Sequence, residues 1–309
     1  MQDKATDSAQ NATLKDAVCA GEVMLEMAPE GSGTYRRGFA GDSFNTAVYL
    51  ARTGVPTRYL TRLGDDQGST DIIAMMQEEG LDSSLVTRVP GRHAGLYLID
   101  NDASGERYFT YYREHSPARQ TFSETLQFQT DLFYFTGITL AICREDLDRL
   151  TQLLEQLADQ GTRIVFDPNY RPLLWPDIDQ AREHYRQVLP LCHTLLPTLA
   201  DDSILWSLQS IRESLEFYRS LGASEIVIKG DELTSLGWTE HEQVERRASA
   251  VPALDTTGAG DAFNAGYLGA RTRGASLGSA IDAAQQLAAT VVQHPGAIIP
   301  RNDTTQGNH

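Results

Sequence analysis

The sequence predicts an α/β protein in which a mostly parallel sheet carries helices on both faces. The first observation is that short apolar runs, typical of buried strands, alternate with helical segments along most of the 309 residues. The second is that residues 95–112 contain two runs of alternating polarity around a turn, which indicates an inserted antiparallel hairpin. The third is that polar residues follow several predicted strands, at the edge where open parallel sheets bind ligands.

The first elements are a strand and a helix with a polar start. Residues 17–27 form an apolar run, interrupted by Gly21 and Glu22, that suits a first buried strand. Residues 29–41 are rich in glycine and polar residues and predict a loop or exposed strands. A helix of about three turns then begins near residue 41. Its apolar residues are spaced i, i+3, i+4 and i+7: Phe44, Ala47, Val48 and Ala51.

A second strand and helix precede the hairpin. Residues 57–63 predict a strand and residues 69–79 a helix. The hairpin arms are residues 95–99 and 107–112, and its turn falls on Asp102-Ala103-Ser104-Gly105. This segment interrupts an otherwise alternating chain, and it therefore predicts a small sheet beside the main one.

The alternation then continues to the end of the chain. Strands are predicted at residues 132–135, 163–166, 194–196 and 225–229, and helices at residues 146–158, 178–188 and 211–220. The final helix shows the clearest period, in Leu277, Ala280, Ile281, Ala284, Leu287, Ala288 and Val291. Its many small residues predict close packing against the helix that follows Asp261.

Charge and cysteine content exclude several classes of protein. The 26 basic and 42 acidic residues give a net charge of -16, which repels nucleic acid and anionic membranes. Neither is therefore expected as a partner. The widely spaced Cys19, Cys143 and Cys192 suit buried, reduced thiols better than disulfides or a metal cluster.

The two ends of the chain are polar. Residues 1–15 lack the apolar centre of a signal peptide, and no apolar run approaches the roughly 18 residues that span a membrane. We therefore expect a cytoplasmic protein with a disordered tail at residues 1–16 and a loose tail at residues 302–309.

The stretch D-T-T-G-A-G-D-A-F-N-A-G, from Asp255 to Gly266, predicts a helix whose start binds an anion. Helix N-termini leave backbone N–H groups without partners, and Gly258 and Gly260 let a phosphate approach them closely. Asp261 is a negative charge beside that site, which suits a general base next to a migrating phosphoryl group. The alternative is that Asp255 or Asp261 simply caps the helix.

Other motifs are absent from the sequence. There is no Walker A pattern, no G-x-G-x-x-G after the first strand, no G-x-S-x-G and no histidine cluster of metal-ligand spacing. Polar residues instead follow the strands at residues 167–171, 198–202, 229–231 and 258–261, and we expect these segments to converge.

Two signatures resemble those of the ribokinase-like, PfkB-type sugar kinases. The second signature is matched by Asp255-Thr256-Thr257-Gly258-Ala259-Gly260-Asp261, and the first by Gly41-Asp42-Ser43-Phe44-Asn45-Thr46-Ala47 with Leu50-Ala51-Arg52-Thr53-Gly54. The resemblance implies a three-layer α/β/α sandwich over residues 17–301, with a mostly parallel central sheet. It also implies a small β-sheet lid from residues 23–41 and 93–112, through which a homodimer is expected; higher assemblies are left open.

Within that family the chain most resembles the 2-keto-3-deoxygluconate kinases. The pieces that carry this match are Gly21-Glu22 with Met24 and Glu26, Gly95-Leu96-Tyr97, Tyr111-Tyr112-Arg113, Asp167-Pro168-Asn169-Tyr170-Arg171-Pro172 with Leu174-Trp175, and residues 296–301. The resemblance implies ATP-dependent phosphorylation of O6 of the sugar acid. A kinase for another ketose or sugar acid, such as a fructokinase, and a non-catalytic sugar-binding regulator are the alternatives.

The resemblance also implies the site residues. Sugar contacts are expected from Gly41, Asp42, Ser43, Phe44, Asn45, Tyr97, Tyr111, Tyr112, Arg113 and Arg171, with Asp261 as the base and Gly258, Ala259 and Gly260 as its anion hole. Arginine forks match a carboxylate and tyrosines a polyol. From the residues alone, Arg171 is equally a solvated side chain or a phosphate contact, and Tyr97 and Tyr111 are equally cross-strand packing.

ATP and Mg²⁺ are the expected cofactors, and a monovalent cation such as K⁺ is left open. ATP contacts are expected from Asn169, Tyr170, Arg171, Thr198, Lys229, Gly230, Asp231, Gly258, Ala259 and Gly260. Where many family members carry Asn-x-x-Glu, this chain has Thr198 and Asp201. Asp201 is the metal-binding candidate, directly or through water, because Mg²⁺ needs few protein ligands.

Overall fold

The computed structural model describes residues 16–31, 33–101 and 107–301. Its strands are β1 (Ala17–Ala20), β2 (Met24–Gly31), β3 (Thr34–Ala40), β4 (Thr57–Gly64), β5 (Val86–Val89), β6 (Gly95–Asn101), β7 (Arg107–Tyr112), β8 (Leu132–Thr136), β9 (Arg163–Asp167), β10 (Thr194–Leu195), β11 (Glu225–Lys229), β12 (Thr234–Thr239) and β13 (Gln243–Arg247). Its α-helices are α1 (Asp42–Arg52), α2 (Gln67–Glu78), α3 (Gly137–Ile142), α4 (Leu147–Asp159), α5 (Ile178–Val188), α6 (Leu199–Leu205), α7 (Ile211–Ser220), α8 (Ala259–Thr272) and α9 (Leu277–Val291).

The large sheet is mostly parallel, as predicted. Its nine strands run in the order β13-β12-β11-β10-β9-β8-β1-β4-β5. Only the β11–β12 and β12–β13 pairs are antiparallel. The sequence analysis missed β5, β12 and β13, together with the short helices α3 and α6. The edge strand β13 is mostly exposed and reads Q-V-E-R-R, and a helix of six or seven residues is too short to show a period.

Helices cover both faces of this sheet, and strand residues alternate between two apolar cores. In β1, Val18 faces a core that includes α4, α5 and α7, whereas its neighbour Cys19 faces one that includes α1, α2, α8 and α9. The predicted three-layer arrangement is therefore confirmed. The three cysteines are buried and free, also as predicted.

The last two helices pack as closely as their small residues predicted. A Cβ atom on Gly266 of α8 would lie 3.0 Å from the Cα atom of Ala284 in α9. That distance is shorter than most contacts between unbonded carbon atoms, so a larger residue would push the two helices apart by a few tenths of an ångström. α9 thereby holds α8, whose start carries the signature motif.

A separate four-stranded sheet lies beside the main one, in the order β3-β2-β6-β7. We call it the small sheet. Its β6–β7 hairpin is antiparallel as predicted, while the turn expected at residues 102–105 lies outside the described residues. The predicted tails at residues 1–16 and 302–309 also lie outside them, apart from Asp16.

The prediction of one strand over residues 17–27 is wrong, because this run forms β1 of the large sheet and β2 of the small one. The chain leaves the large sheet at Gly21, where a Cβ atom would lie 2.1 Å from the Oγ atom of Ser43. An apolar run does not reveal such a change of sheet, since both halves are buried.

In the described ranges, no helix has the length and apolar character needed to cross a membrane.

Candidate active site

The start of α8 has the backbone geometry of an anion site. Gly258 is the N-cap residue in the left-handed region, with φ 77°, and a Cβ atom there would lie 2.8 Å from the carbonyl oxygen of Ala297. No side chain caps the helix, so the alternative that Asp255 or Asp261 serves only as a cap is wrong. Around Gly260, a Cβ atom would meet no heavy atom within 4 Å, so an anion has access to the helix start.

The predicted N–H donors differ in availability. The Ala259 N–H donates to the Thr256 carbonyl at 3.2 Å, whereas the first helical bond into Gly258 comes from the Ala262 N–H at 2.8 Å. The N–H groups of Gly260 and Asp261 precede that bond and therefore have no partner within the helix. Gly260, a predicted donor, and Asp261, which was not predicted as one, therefore have N–H groups available to an anion at the mouth of α8.

Asp261 lies in the first turn of α8, beside the start of α1. Its Oδ2 atom accepts a hydrogen bond from Asn45 Nδ2 at 2.8 Å, and Asn45 Oδ1 accepts from the Gly41 N–H at 3.3 Å. The two sequence signatures, at residues 41–47 and 255–261, therefore meet at this carboxylate.

The environment of Asp261 disfavours its charge. Burial and then the negative charge of Asp42 raise the pKa of Asp261 to about 8, and the charge of Asp167 adds to that rise. The Asn45 hydrogen bond and the Lys229 charge act in the opposite direction. A carboxyl with a pKa near the working pH suits a general base.

Asp42, the second carboxylate, opens α1. Its Oδ2 atom accepts a hydrogen bond from Asn169 Nδ2 at 2.7 Å, and Asn169 itself has a φ of 33°, in the left-handed region. Burial raises the pKa of Asp42, although hydrogen bonds from Thr136, Ser43 and Asn169 oppose the rise. The loop after β9 and the start of α1 are thereby joined.

A buried polar cluster lies beneath these groups, and two of its members, Asp167 and Asn264, lie in stretches that the sequence singled out but were given no role in the site. Asn264 Nδ2 donates to Asp167 Oδ2 at 2.6 Å and to the Tyr134 hydroxyl at 3.1 Å. Lys229 Nζ donates to the same Asp167 oxygen at 3.2 Å and to Asn264 Oδ1 at 3.0 Å.

Both of these residues left a signal in the sequence. Asp167 ends strand β9, and Asn264 is a fully buried polar residue one helical turn after Asp261. Lys229 was expected to contact ATP, but its ammonium group belongs to this cluster and helps to hold Asp167.

Arg113, the expected carboxylate ligand, is buried and paired with Glu22. Its NH2 atom lies 2.5 Å from Glu22 Oε2, and its guanidinium lies over the ring of Tyr111, with 5.6 Å between the Cζ atom and the ring centroid. Glu22 follows β1, at the chain's crossing into the small sheet. Glu22 carries part of the family resemblance, but no part in the site was predicted for it.

Three aromatic residues of the small sheet, Tyr97, Phe109 and Tyr111, form a group on one of its faces. The Tyr97 ring lies 5.7 Å from that of Tyr111 and 6.2 Å from that of Phe109, and the Tyr97 hydroxyl donates to Glu26 on the adjacent strand. Strand alternation places Tyr112 on the opposite face from Tyr111. The Tyr97 hydroxyl is thus already engaged.

Arg171 lies on the surface of the cleft, half exposed. Its NH1 atom donates to the Tyr170 carbonyl at 2.9 Å and to Asp201 Oδ1 at 3.4 Å. Burial raises the pKa of Tyr111, and the charges of Arg113 and Arg171 oppose that rise while Asp42 adds to it. Tyr111 therefore lies in the field of two arginines and a site carboxylate.

Three expected site residues have side chains in the core. The Ser43 hydroxyl and the Tyr59 hydroxyl are 2.9 Å apart, and the Phe44 ring lies 5.3 Å from that of Tyr59. The Tyr170 ring packs 6.3 Å from that of Tyr185. These three side chains are buried and pack against the core, so they support the start of α1 and the loop after β9.

The remaining expected ATP contacts lie at the ends of β10 and β11. Gly230 and Asp231 form the turn between β11 and β12, in which the Thr234 N–H donates to the Asp231 carbonyl at 2.9 Å. Thr198 is the N-cap residue of α6 and pairs with Lys229 across the sheet. These segments converge at one edge of the sheet, as the sequence predicted.

For a metal ion, the described residues offer single carboxylates. In the described ranges, no three His, Cys, Asp or Glu side chains are grouped to hold a metal. Burial raises the pKa of Asp201 to about 6, against the opposing charge of Arg171, so this carboxylate is largely ionised at neutral pH. It fits a hydrated Mg²⁺ whose other ligands are phosphates and water.

Comparison with protein families matches residues 14–305 to the pfkB family carbohydrate kinases. The chain belongs to this family. A 2-dehydro-3-deoxygluconokinase from Dickeya dadantii (strain 3937) is 36% identical over 305 residues, which cover 93% of this chain and 98% of the relative. A 2-dehydro-3-deoxygluconokinase from Escherichia coli (strain K12) is 34% identical over 304 residues, with 93% and 98% covered. This pfkB kinase is therefore a carbohydrate kinase, as predicted.

Solved structures agree with the fold of this pfkB kinase. An aminoimidazole riboside kinase from Salmonella enterica, complexed with aminoimidazole riboside and an ATP analog, has a TM-score of 0.81 and 23% identity over 94% of this chain and 96% of that one. A fructokinase from Vibrio cholerae O395, bound to fructose, ADP and a calcium ion, has a TM-score of 0.82 and 23% identity over 93% and 95%. The predicted ribokinase-like fold is thereby confirmed.

Proposed function

We propose that this carbohydrate kinase transfers the γ-phosphoryl group of ATP to O6 of 2-keto-3-deoxy-D-gluconate, forming 2-keto-3-deoxy-6-phosphogluconate. The observation that carries the proposal is Arg113, a buried guanidinium that is paired with Glu22 and lies over the ring of Tyr111. The relatives named 2-dehydro-3-deoxygluconokinase support the same substrate, because that name denotes a kinase for the same sugar acid.

Arg113 is the group that would distinguish a sugar acid from a neutral sugar. Glu22 and the Tyr111 ring hold its guanidinium in one orientation, so little rotamer freedom is lost when a substrate carboxylate binds. Glu22 also offsets the charge of Arg113 while the site holds no acid. Arg171, half exposed, can turn toward the same carboxylate.

Asp261 is the base in this proposal. As O6 attacks the γ-phosphorus, the O6–P bond forms, the bond from phosphorus to the ADP oxygen breaks, and the O6 proton passes to the Asp261 carboxylate. Asn45 orients the carboxylate through its 2.8 Å hydrogen bond. Because the pKa of Asp261 is about 8, the group must first lose a proton, and turnover should rise with pH up to that value.

The start of α8 would hold the charge of the transferred group. The N–H groups of Gly258, Ala259 and Gly260 are the proposed anion hole, with Ala259 first releasing its 3.2 Å bond to Thr256. Asp201 would hold Mg²⁺ directly or through water, and the ion would supply positive charge that offsets the repulsion of the ATP phosphates.

The small sheet is the proposed lid. Its aromatic face, formed by Tyr97, Phe109 and Tyr111, would cover the sugar and exclude water from the transfer. The edge strands β3 and β7 offer a surface for the expected homodimer.

The test is a coupled ADP-release assay over 2-keto-3-deoxy-D-gluconate, other sugar acids and neutral sugars including fructose. The Arg113→Met variant should lose about 100-fold in kcat/KM for the sugar acid and far less for any neutral sugar, because it loses one charged donor. Equal losses for both classes would rule out the carboxylate contact. A wild type that prefers fructose would favour the fructokinase alternative, and absence of ADP release with every sugar would favour a regulator.

A further inference from the structure

One face of β7 forms a continuous row from the proposed sugar site toward the loop before α8. Alternate residues of a strand share a face, so Arg107, Phe109 and Tyr111 lie on the same side of β7. The Phe109 and Tyr111 rings are stacked with centroids 6.3 Å apart, and both contact Tyr97 on β6. The row is therefore held together by side-chain packing as well as by the strand.

The last member of the row leaves the small sheet. Arg107 NH1 lies 2.7 Å from Asp255 Oδ1 and donates to Thr257 Oγ1 at 3.2 Å. Asp255 and Thr257 belong to the loop that leads into Gly258, the N-cap residue of α8. A guanidinium from the proposed lid thus reaches the loop that sets the start of the anion hole.

Asp255 joins this arginine to the rest of the loop. Its Oδ1 atom also accepts from the Thr257 N–H at 3.0 Å, and its Oδ2 atom accepts from the Gly296 N–H at 2.8 Å. Burial alone would raise the pKa of Asp255, but hydrogen bonds from Arg107, Gly296 and Thr257 outweigh it and lower the pKa to about 2. Three segments are therefore fixed on one ionised carboxylate.

We propose that Arg107 is a positioning residue that couples the sugar site to the phosphate site. When a sugar binds against Tyr111, it orders the β7 row, and Arg107 then holds Asp255 and Thr257 so that the Gly258 N-cap is in place for the nucleotide phosphates. This inference rests on the proposed function, because it requires both ligands to bind in this cleft. Each ligand then increases the affinity for the other by the same factor.

The chain offers a matched control for this contact. Arg37 of β3 also reaches from the small sheet to the main body, with its NH1 atom 2.8 Å from Asp71 Oδ2 on α2. Both ion pairs are partly exposed, and each connects the small sheet to the main body of the protein. Of these two pairs, only the Arg107 pair reaches the loop before α8. The two variants therefore separate a loosened attachment of the small sheet from a loss of coupling between the sugar and phosphate sites.

The experiment measures the Kd of 2-keto-3-deoxy-D-gluconate by calorimetry, with and without a saturating non-hydrolysable ATP analogue and Mg²⁺. In the wild type, we expect the analogue to tighten sugar binding by about fivefold or more, within the usual range of coupling between sites. The coupling factor should fall to about one in Arg107→Met, recover in part in Arg107→Lys, and stay at the wild-type value in Arg37→Met. The reverse titration must give the same factors.

Several results would overturn the inference. They are a wild type without coupling, an Arg107→Met variant that keeps the wild-type factor, and an Arg37→Met variant that loses it equally. A merely structural arginine would lower the melting temperature and weaken both ligands without changing the factor. If the sugar acid does not bind the wild type, the proposed substrate fails, and the same titrations are run with the sugar that the kinase does phosphorylate.

Discussion

Two aspartates of the same short motif have opposite electrostatic environments. Asp255 and Asp261 are six residues apart and both lie against the start of α8, yet the pKa of the first is lowered to about 2 and that of the second is raised to about 8. Asp255 accepts bonds from a guanidinium and two backbone N–H groups. Asp261 accepts one hydrogen bond, from the side-chain amide of Asn45, and its charge is opposed by two other carboxylates, Asp42 and Asp167.

The difference separates a structural carboxylate from a reactive one. Burial disfavours ionisation in both cases, so the number of donors and the sign of nearby charges decide the outcome. A carboxylate with several hydrogen-bond donors can hold a loop, but its ionised form is so well stabilised that it is a poor proton acceptor. A carboxylate that is poorly compensated readily takes one, and this is what a base for an incoming hydroxyl requires.

The largest expected effect comes from Asp261→Asn. The variant keeps an oxygen for Asn45 but has no base, so kcat in the ADP-release assay should fall by about 100-fold or more.

The same variant tests the raised pKa of Asp261. Between pH values of about 4 and about 8, this carboxyl is ionised in the unfolded chain but protonated in the folded one, so the wild type loses stability as pH rises through this range. The melting temperature of Asp261→Asn should exceed that of the wild type at pH 8.5, and the gap should shrink at pH 6.

The exposed Asp282, paired with Arg246, provides a control for that experiment. Asp282→Asn should leave turnover at the wild-type value. If Asp261→Asn keeps a kcat within tenfold of the wild type, Asp261 is not the base. A melting difference that is independent of pH would contradict the raised pKa.

A smaller effect is expected from Asp255→Asn, measured as the free energy of unfolding in urea. The variant leaves Arg107 without its counter-ion and should lose about 2 kcal/mol at pH 7. Since the folded-state pKa of Asp255 is depressed, its contribution is present above the unfolded pKa and is lost as pH falls from about 4 to about 2. The loss should therefore be smaller at pH 3 than at pH 7.

Asp71→Asn is the matched comparison, because it breaks the other ion pair between the small sheet and the body. That pair is half exposed on the arginine side, so the expected loss is about 0–1 kcal/mol. Equal losses in Asp71→Asn and Asp255→Asn would mean that the bonds from Thr257 and Gly296 add nothing to the stability.

The smallest expected effect is a shift of the pH profile in Asp42→Asn. Removing the negative charge of Asp42 lowers the pKa of Asp261, so the rise of kcat/KM with pH should move to lower pH by about one unit. The variant's maximum kcat/KM is also expected to be lower, because Asp42 is a proposed sugar contact. A profile with an unchanged midpoint would show that Asp42 does not act on the base.

The elements of the fold were predictable where their pattern is local and long. The helices over residues 178–188 and 211–220 have the predicted bounds, since a helix of about three turns shows its period in the sequence. The division of residues 17–27 between two sheets was not predictable. Both halves of that run are apolar, and the reason for the break lies in the close approach of Gly21 to Ser43 on α1.

By itself, the sequence determined the two signatures, the alternation of strands and helices over most of the chain, and the edge of the sheet at which polar residues gather. These depend on spacing along the chain. Only the tertiary structure decided which of those residues meet: Arg107 with Asp255, 148 residues apart, Asn45 with Asp261, 216 apart, and Asn264 with Asp167, 97 apart. Such pairs leave no local pattern in the sequence. These contacts nevertheless contribute to the lowered pKa of Asp255 and to the environment that gives Asp261 its raised pKa.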